Sequence, residues 1–251
     1  MRRVPPSTVR RLSDYLRVLE ELELEGTKLV ASQRMAELGG VTSAQVRKDL
    51  SYFGAFGRRG LGYRVPMLRR EIRAILGLNR RWRVALLGAG NVGSALYSYK
   101  EFHRQGFDIV AVFDVSPTRV GRRWNDVTIR HVDRLPFEVA RLGVELGVIA
   151  VPVRAAQGAA DRLVAAGVRG ILNFAHRKLN VPPAVIVRHV SLSRELESLA
   201  FAVKTDSGRP SRRASSGRGP RPGAARRSRA PGARASRAAG SRAAAPRART
   251  G

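Results

Sequence analysis

The first 54 residues alternate apolar and polar positions with the period of an α-helix. An apolar stripe of leucines with Tyr15 predicts a first helix over about Ser13–Glu25, which Gly26 ends. A short second helix is predicted over Ser32–Leu38, before two glycines. Thr42, with Gln45 three residues later, has the capping-box spacing, so a third helix is predicted from Ser43 to Phe53. The second and third helices form the core of a predicted helix-turn-helix, about Tyr15–Gly54.

A glycine-rich basic stretch follows these helices. Glycines at 57, 60 and 62 permit a tight hairpin, and Arg58 and Arg59 lie near its tip. Three helices followed by such a hairpin are typical of a winged helix-turn-helix.

The third helix has an apolar face, with Val46, Leu50 and Phe53, and a polar face that is free to point outward. A helix of this width fits the major groove of DNA, where arginine or lysine pairs with guanine and glutamine with adenine. Wing arginines suit the minor groove or the phosphates. The predicted DNA contacts are Ser43, Gln45, Arg47, Lys48, Ser51, Tyr52, Arg58, Arg59 and Tyr63. The alternative is a small helical domain whose charges are only solvated.

From residue 82, the pattern changes to short apolar strands alternating with helices. Trp82–Leu87 predicts a buried strand, followed directly by Gly88-Ala89-Gly90-Asn91-Val92-Gly93. This Gly-x-Gly-x-x-Gly spacing between strand and helix favours a dinucleotide pyrophosphate. The next strand, Ile109–Phe113, ends at Asp114, whose carboxylate suits ribose hydroxyls and repels a 2′-phosphate. NAD is therefore favoured, while nearby Arg119 keeps NADP open.

Two more strands, 146–151 and 170–173, continue the sheet, with a helix over 155–166 between them. Ligands of such sheets lie beyond the carboxyl ends of the strands, so Pro152, Asn173 and Phe174 are candidates to flank the nicotinamide. Residues 191–205 predict one amphipathic helix. The fold class is α/β: a winged helix-turn-helix (1–80), a Rossmann-type parallel sheet (81–190) and a C-terminal helix (191–205).

The strongly basic charge of the chain predicts a polyanionic partner. The net charge is +28; residues 206–251 hold thirteen arginines and one acid, and the first 205 residues still carry +16. The Arg/Ala/Gly/Ser/Pro composition of 206–251 predicts disorder. The chain has no cysteine, no secretory signal and no long apolar run, so no thiolate zinc site, metal or membrane partner is expected, and the location is expected to be cytoplasmic.

An enzyme is the main alternative function. A dehydrogenase needs a histidine held by a carboxylate. None of the four histidines, at 103, 131, 176 and 189, lies in a compelling acid–base constellation, and little chain remains for a substrate domain. The prediction is therefore a non-enzymatic sensor. An NAD-dependent dehydrogenase with a basic extension, a constitutive DNA binder and an NADP-responsive regulator are the alternatives.

Together these residues resemble the Rex family of redox-sensing transcriptional repressors. The resemblance covers roughly residues 4–203. It rests on Val46-Arg-Lys-Asp-Leu-Ser-Tyr-Phe53, the Gly88–Gly93 loop, Phe113-Asp-Val115 and Gly170-Ile-Leu-Asn-Phe-Ala175, among other stretches. It implies a homodimer that binds palindromic double-stranded operator DNA and is released when NADH rises relative to NAD⁺.

The resemblance also implies a C-terminal helix exchanged between subunits, a tyrosine near the nicotinamide at Tyr99, and an arginine on the first helix at Arg17. Two positions depart from the family pattern. Ser191 stands where an aspartate is common, and serine cannot form an ion pair. His176 stands where a proline is usual. The arginine-rich tail lies outside the pattern.

Overall fold

The computed structural model describes residues 4–58 and 60–206, without the side chains of Arg58 and Asp206. The predictions for Arg59 and for the tail after residue 206 therefore fall outside the described residues. Within the described ranges, no helix is long and apolar enough to cross a membrane.

The N-terminal region is built from four helices and a small sheet. Its elements are α1 (Pro6–Leu24), β1 (Leu29–Val30), α2 (Ser32–Leu38), α3 (Ser43–Ser51), β2 (Gly57–Arg58), β3 (Gly62–Arg64) and α4 (Val65–Ile75). The three strands are antiparallel in the order β1-β3-β2, so β2 and β3 form the predicted wing hairpin. Tyr15, Leu12, Met35, Val46 and Leu68 are fully or almost fully buried together and join the helices into one core.

Helix α1 begins at Pro6, well before the predicted start near Ser13, because proline is tolerated in the first turn of a helix. It ends as predicted before Gly26, whose φ of +77° is a conformation that favours glycine. Helix α4 was not predicted, although Val65, Leu68 and Ile72 are buried on one face at helical spacing.

A seven-stranded sheet occupies the rest of the described chain. The strands are β4 (Trp82–Leu87), β5 (Phe107–Asp114), β6 (Arg123–Trp124), β7 (Val127–His131), β8 (Leu146–Ile149), β9 (Gly170–Asn173) and β10 (Ile186–His189). Their order is β10-β9-β8-β4-β5-β7-β6, and every neighbouring pair is parallel except β6 with β7. This confirms the predicted parallel sheet. Strands β6, β7 and β10 were not predicted.

Helices cover the two faces of the sheet. They are α5 (Asn91–Tyr97), α6 (Lys100–Arg104), α7 (Leu135–Leu142) and α8 (Ala156–Ala165). A last helix, α9 (Leu192–Asp206), follows β10. Alternate residues of β4 serve the two faces: Ala85 and Leu87 pack with α7 and α8, whereas Val84 and Leu86 face the opposite core.

The chain changes direction at β4. It builds β5 and β7 on one side of this strand and then returns to add β8 on the other side. Helices on either side of that point leave in different directions, which opens a crevice at the carboxyl ends of β4, β5 and β8.

Helix α9 leaves an apolar stripe in solvent. Leu192, Leu196 and Leu199 are 71%, 65% and 59% exposed, although their spacing is that of a buried helix face. The predicted amphipathic helix is therefore present, and no residue within 4–58 or 60–206 buries its apolar stripe.

Candidate functional site

The glycine loop connects β4 to α5 and is tightly constrained at two of its glycines. Gly88 has a φ of +101°, and a Cβ there would lie 2.5 Å from the carbonyl oxygen of Ala150 on the next strand. A Cβ on Gly93 would collide with the carbonyl oxygen of Gly88. Side chains are thus excluded from both positions, and α5 can start directly against the strand end.

Gly90 differs from these two glycines. No heavy atom lies within 4 Å of a Cβ built on it, and the residue faces an open cavity. The space that a side chain would fill is therefore left for a ligand to approach the backbone, as a pyrophosphate does in dinucleotide-binding loops.

Asp114 fastens the loop to the neighbouring strand. Its Oδ2 accepts a hydrogen bond from the backbone N–H of Ala89 at 2.7 Å, and its Oδ1 accepts one from Ser116 N–H at 2.8 Å. The Arg119 guanidinium donates to Oδ2 at 3.3 Å. Burial alone would raise the pKa of Asp114, but these donors stabilise the carboxylate, so the pKa lies below its usual value. Asp114 is ionised at neutral pH.

These elements surround a cavity of about 760 Å³, which is within the range of small-molecule and cofactor sites. Six predicted cofactor residues line it: Gly88, Gly90, Asn91, Val92, Asp114 and Pro152. Ala89 and Gly93 are buried beneath the loop and shape it from below.

Two other predicted cofactor residues lie away from both the cavity and the glycine loop. Phe174 packs against the core beside the sheet. Tyr99 is 55% exposed, meets Phe102 edge-on at 5.2 Å between ring centroids, and borders a separate cavity of about 170 Å³. No local pattern indicates where Tyr99 lies, because its position depends on the path of the chain between α5 and α6.

Two arginines on the cavity wall are already ion-paired. Arg119 pairs with Asp114, and Arg162 donates to Asp133 at 3.0 Å. The sequence analysis had singled out Arg119 but missed Arg162, which is brought to the wall from α8. Only the packing of α8 against the strand ends could reveal it.

Helix α3 has one of the two hydrogen bonds of the predicted capping box. Thr42 Oγ1 accepts from the backbone N–H of Gln45 at 3.1 Å. The reciprocal contact of a capping box is absent at this helix: the Gln45 side chain instead donates from Nε2 to Asp49 at 2.8 Å. The prediction of a complete capping box is therefore wrong, as is the assumption that Gln45 is wholly free.

Asp49 is the hub of this arrangement and was missed by the sequence analysis. It is fully buried, and its carboxylate accepts from Arg11 Nε at 2.6 Å, Arg11 Nη2 at 2.8 Å and Tyr15 OH at 2.9 Å. Thr8 and Gln45 add further donors. Burial opposes the charge, but the Arg11, Tyr15 and Gln45 hydrogen bonds hold the pKa of Asp49 below its usual value. This buried ion pair joins α3 to α1.

The other polar residues of α3 lie on its outer surface. Arg47 and Lys48 are exposed; Arg47 donates to Ser32 Oγ at 2.9 Å, and Ser51 Oγ donates to the Lys48 carbonyl. Ser43 and Tyr52 are half-buried. Arg47 and Ser51 border a groove of about 570 Å³ between α3 and the wing, next to Gly60 and Gly62.

Tyr63 does not fit the predicted DNA-contacting set. Only 7% of it is exposed, and it packs in the N-terminal core beneath the wing. Its position on β3 places it on the inward face of the hairpin, and burial raises the pKa of its phenol. The prediction that Tyr63 contacts DNA is corrected to a supporting position under the wing.

The histidines lie outside the nucleotide cavity. His103 is paired with Asp108 at 2.7 Å on the surface, and His131 with Asp133 at 3.0 Å. His189 contacts buried Asn173 at 3.1 Å, and His176 contacts Ser191 Oγ at 3.2 Å. Asn173, predicted to flank the nicotinamide, does not line the cavity. Across residues 4–58 and 60–206, no cluster of histidine and acidic residues could hold a metal ion.

Comparison with known proteins accounts for both regions. A family model described as a putative DNA-binding protein N-terminus matches residues 3–51, and one described as a CoA binding domain matches residues 79–177. The redox-sensing transcriptional repressor Rex of Carboxydothermus hydrogenoformans is 50% identical over 204 residues, covering 81% of this chain and 98% of the relative. Rex of Thermus thermophilus is 49% identical over 201 residues, covering 80% of this chain and 94% of the relative.

The chain belongs to the Rex family. Solved structures agree with this assignment. The repressor RSP bound to β-NAD⁺ and operator DNA has a TM-score of 0.78 at 36% identity, and the match covers 82% of this chain and 95% of RSP. RSP bound to β-NADH has a TM-score of 0.75 at 35% identity, covering 81% and 96%. The relatives are named as repressors, not dehydrogenases, which confirms the non-enzymatic prediction.

Proposed function

We propose that this chain is a redox-sensing repressor that binds operator DNA through α3 and the wing and releases it when NADH fills the cavity at the glycine loop. The observation that carries the proposal is the cavity itself, where open Gly90 and ionised Asp114 meet at the carboxyl ends of the strands. The RSP complexes with β-NAD⁺ and operator DNA and with β-NADH support the same pairing of ligands.

The residues present fit a bound NAD(H). Gly90 leaves room for the pyrophosphate, and Asp114 offers a carboxylate at the position expected for the adenosine ribose. Val151 and Pro152 provide an apolar wall at the strand ends. The bound nucleotide contributes its redox state: NAD⁺ carries a positive charge on the nicotinamide that NADH lacks. An apolar wall disfavours a charged ring, so it favours NADH.

The DNA surface in this proposal consists of exposed side chains on one face of α3, plus the wing. Arg47 and Lys48 supply guanine or phosphate contacts, Ser43 and Ser51 supply further hydrogen bonds, and Tyr52 supports the wing or contacts a phosphate. The wing arginines, Arg58 and Arg59, are assigned to the minor groove or phosphates from sequence alone.

The functional unit in this proposal is a homodimer with domains at 1–80 and 81–190 and an exchanged helix at 191–205. Support comes from two apolar surfaces: the Leu192–Leu196–Leu199 stripe of α9, and a groove of about 390 Å³ on the sheet near Ile171 and Ile186. Replacing both Leu196 and Leu199 with Glu should give monomers in analytical ultracentrifugation. Dimers of unchanged stability would contradict this assignment.

Reciprocal linkage follows if NADH and operator prefer different arrangements of the dimer: each ligand weakens the other by the same factor. The test is a titration of one operator duplex with the full chain, first with saturating NAD⁺ and then with saturating NADH. We expect a weaker complex with NADH, typically by 5- to 150-fold for such couplings. Equal affinities would favour a constitutive DNA binder and overturn the proposal.

Two further measurements separate the alternatives. Calorimetry with NADPH tests whether Arg119 and Arg162 make the cavity responsive to a 2′-phosphate; tighter binding of NADPH than NADH would contradict the NAD(H) assignment. Steady absorbance at 340 nm across a panel of hydroxy acids and aldehydes is expected, because none of the described histidines lines the cavity. Turnover would indicate a dehydrogenase.

A further inference from the structure

Gln45 stands in an unusual position for a residue on a DNA-reading helix. It lies in the first turn of α3, where side chains usually meet base edges, yet its amide is bonded to a fully buried carboxylate one turn later. Gln45 is itself half-buried, unlike the fully buried Asp49 to which it donates.

The chemistry of this contact determines the orientation of the Gln45 amide. An ionised carboxylate only accepts hydrogen bonds, so Nε2 of Gln45 must face Asp49 and Oε1 must face away. One N–H is thereby used. The amide retains one further N–H donor and one oxygen acceptor.

This remaining pair matches one base better than the others. Adenine presents one acceptor, N7, and one donor, the 6-amino group, in the major groove, whereas guanine presents two acceptors, N7 and O6. A freely rotating amide can turn its two N–H groups toward guanine. An amide whose second N–H is held by Asp49 cannot.

The carboxylate is in turn held from the other side. Arg11 binds it through two nitrogens, and Tyr15 donates to the oxygen that Gln45 does not use. Bidentate arginine–carboxylate pairs have a restricted geometry, so Asp49 cannot rotate away to release Gln45. The carboxylate that orients the amide is therefore held in place by two residues of α1, outside the reading helix.

We propose that Asp49 is a specificity-positioning residue: by holding one N–H of Gln45, it makes that side chain select adenine over guanine at one position of each operator half-site. The inference rests on the proposed use of α3 to read the operator. It concerns base choice, which overall DNA affinity does not report.

The test is selection from a pool of randomised DNA duplexes by the full-length protein, followed by sequencing. Wild type should enrich adenine over guanine at one half-site position by roughly 5- to 150-fold, the range of a good bidentate contact. Q45A should lose this enrichment at that position only. D49N should lower the ratio at the same position by about fivefold or more, because a neutral amide no longer dictates which end of Gln45 faces it.

Thr8→Val is the matched control. It removes one donor from the same carboxylate at 3.2 Å and leaves the Gln45 contact in place, so the base ratio should stay at the wild-type value. If D49N binds every sequence more weakly but keeps the wild-type ratio, Asp49 is only structural and the proposal is overturned. Adenine enrichment that survives in Q45A overturns it as well.

If D49N does not fold, the wild type decides between the outcomes. Its affinity is compared for two duplexes, one carrying the selected adenine and one carrying purine, which lacks the 6-amino group, at that position. A fixed Oε1 acceptor requires a loss of about fivefold or more, and equal affinity refutes the assigned orientation. Failure of wild type to select any sequence would instead count against the proposed function itself.

Discussion

Two glycines of the nucleotide loop should respond in opposite ways to the same small change. Gly90 has φ −80° and ψ −166°, an extended conformation that alanine adopts freely, and no atom lies within 4 Å of the added Cβ. Gly90→Ala should therefore leave the nucleotide-free protein as stable as wild type or raise its free energy of unfolding by about 0.4–1 kcal/mol, since alanine restricts the unfolded chain. Gly93→Ala places its methyl against the carbonyl oxygen of Gly88. Overpacking of this kind costs about 1–3 kcal/mol.

The magnitudes translate into measurable shifts. For a chain of this size, 1 kcal/mol changes Tm by about 2–4 °C, so Gly93→Ala should melt about 2–12 °C lower and Gly90→Ala no lower than wild type. The affinity for NADH should not follow the order of the melting temperatures. The Gly90 methyl occupies the space left for the pyrophosphate, which should weaken NADH by about 1–3 kcal/mol, or roughly 5- to 150-fold.

The assays are thermal unfolding without nucleotide and titration of NADH fluorescence. Gly158→Ala provides a control on the same cavity wall, because a Cβ there also meets nothing within 4 Å but the residue lies on α8, away from the glycine loop. A Gly90→Ala protein that melts like wild type and still binds NADH with wild-type affinity would refute the placement of the pyrophosphate against this loop.

Three further predictions address the other sites. Asp49 and Asp114 both have lowered pKa values in the folded protein, so their contribution to stability is present above about pH 4 and is lost as the pH falls through the folded values. In urea unfolding between pH 5 and pH 3, the free energy of unfolding should therefore fall less steeply with pH in D49N than in wild type. Equal pH dependence in the two proteins would exclude Asp49 as a contributor. Lys48→Ala should reduce operator selectivity while calorimetry finds NADH binding unchanged; loss of both would indicate a folding defect. Deleting 206–251 removes thirteen arginines and should flatten the salt dependence of DNA binding without abolishing the NADH response, so a lost response would assign the tail to the switch.

Local patterns were sufficient for the elements that depend on neighbours in sequence. Strands β4 and β9 and helix α2 have the predicted bounds, because alternation, capping residues and glycine stops act within a few positions. The glycine loop and Asp114 were also predictable, since a strand, a turn and a helix in direct succession restrict where a pyrophosphate can approach. Short strands such as β10 were missed because their pairing partner lies elsewhere in the chain.

A basic helical region followed by a nucleotide-type sheet was predictable from the linear chain, because periodicity, glycine spacing and charge are local properties. The contact of Asp49 with Gln45, the burial of Tyr63 and the position of Tyr99 outside the main cavity became visible only in the folded protein. Each of these depends on a contact between elements distant in sequence. Burial and hydrogen-bond partners exist only once such elements are packed, so no local pattern could specify them.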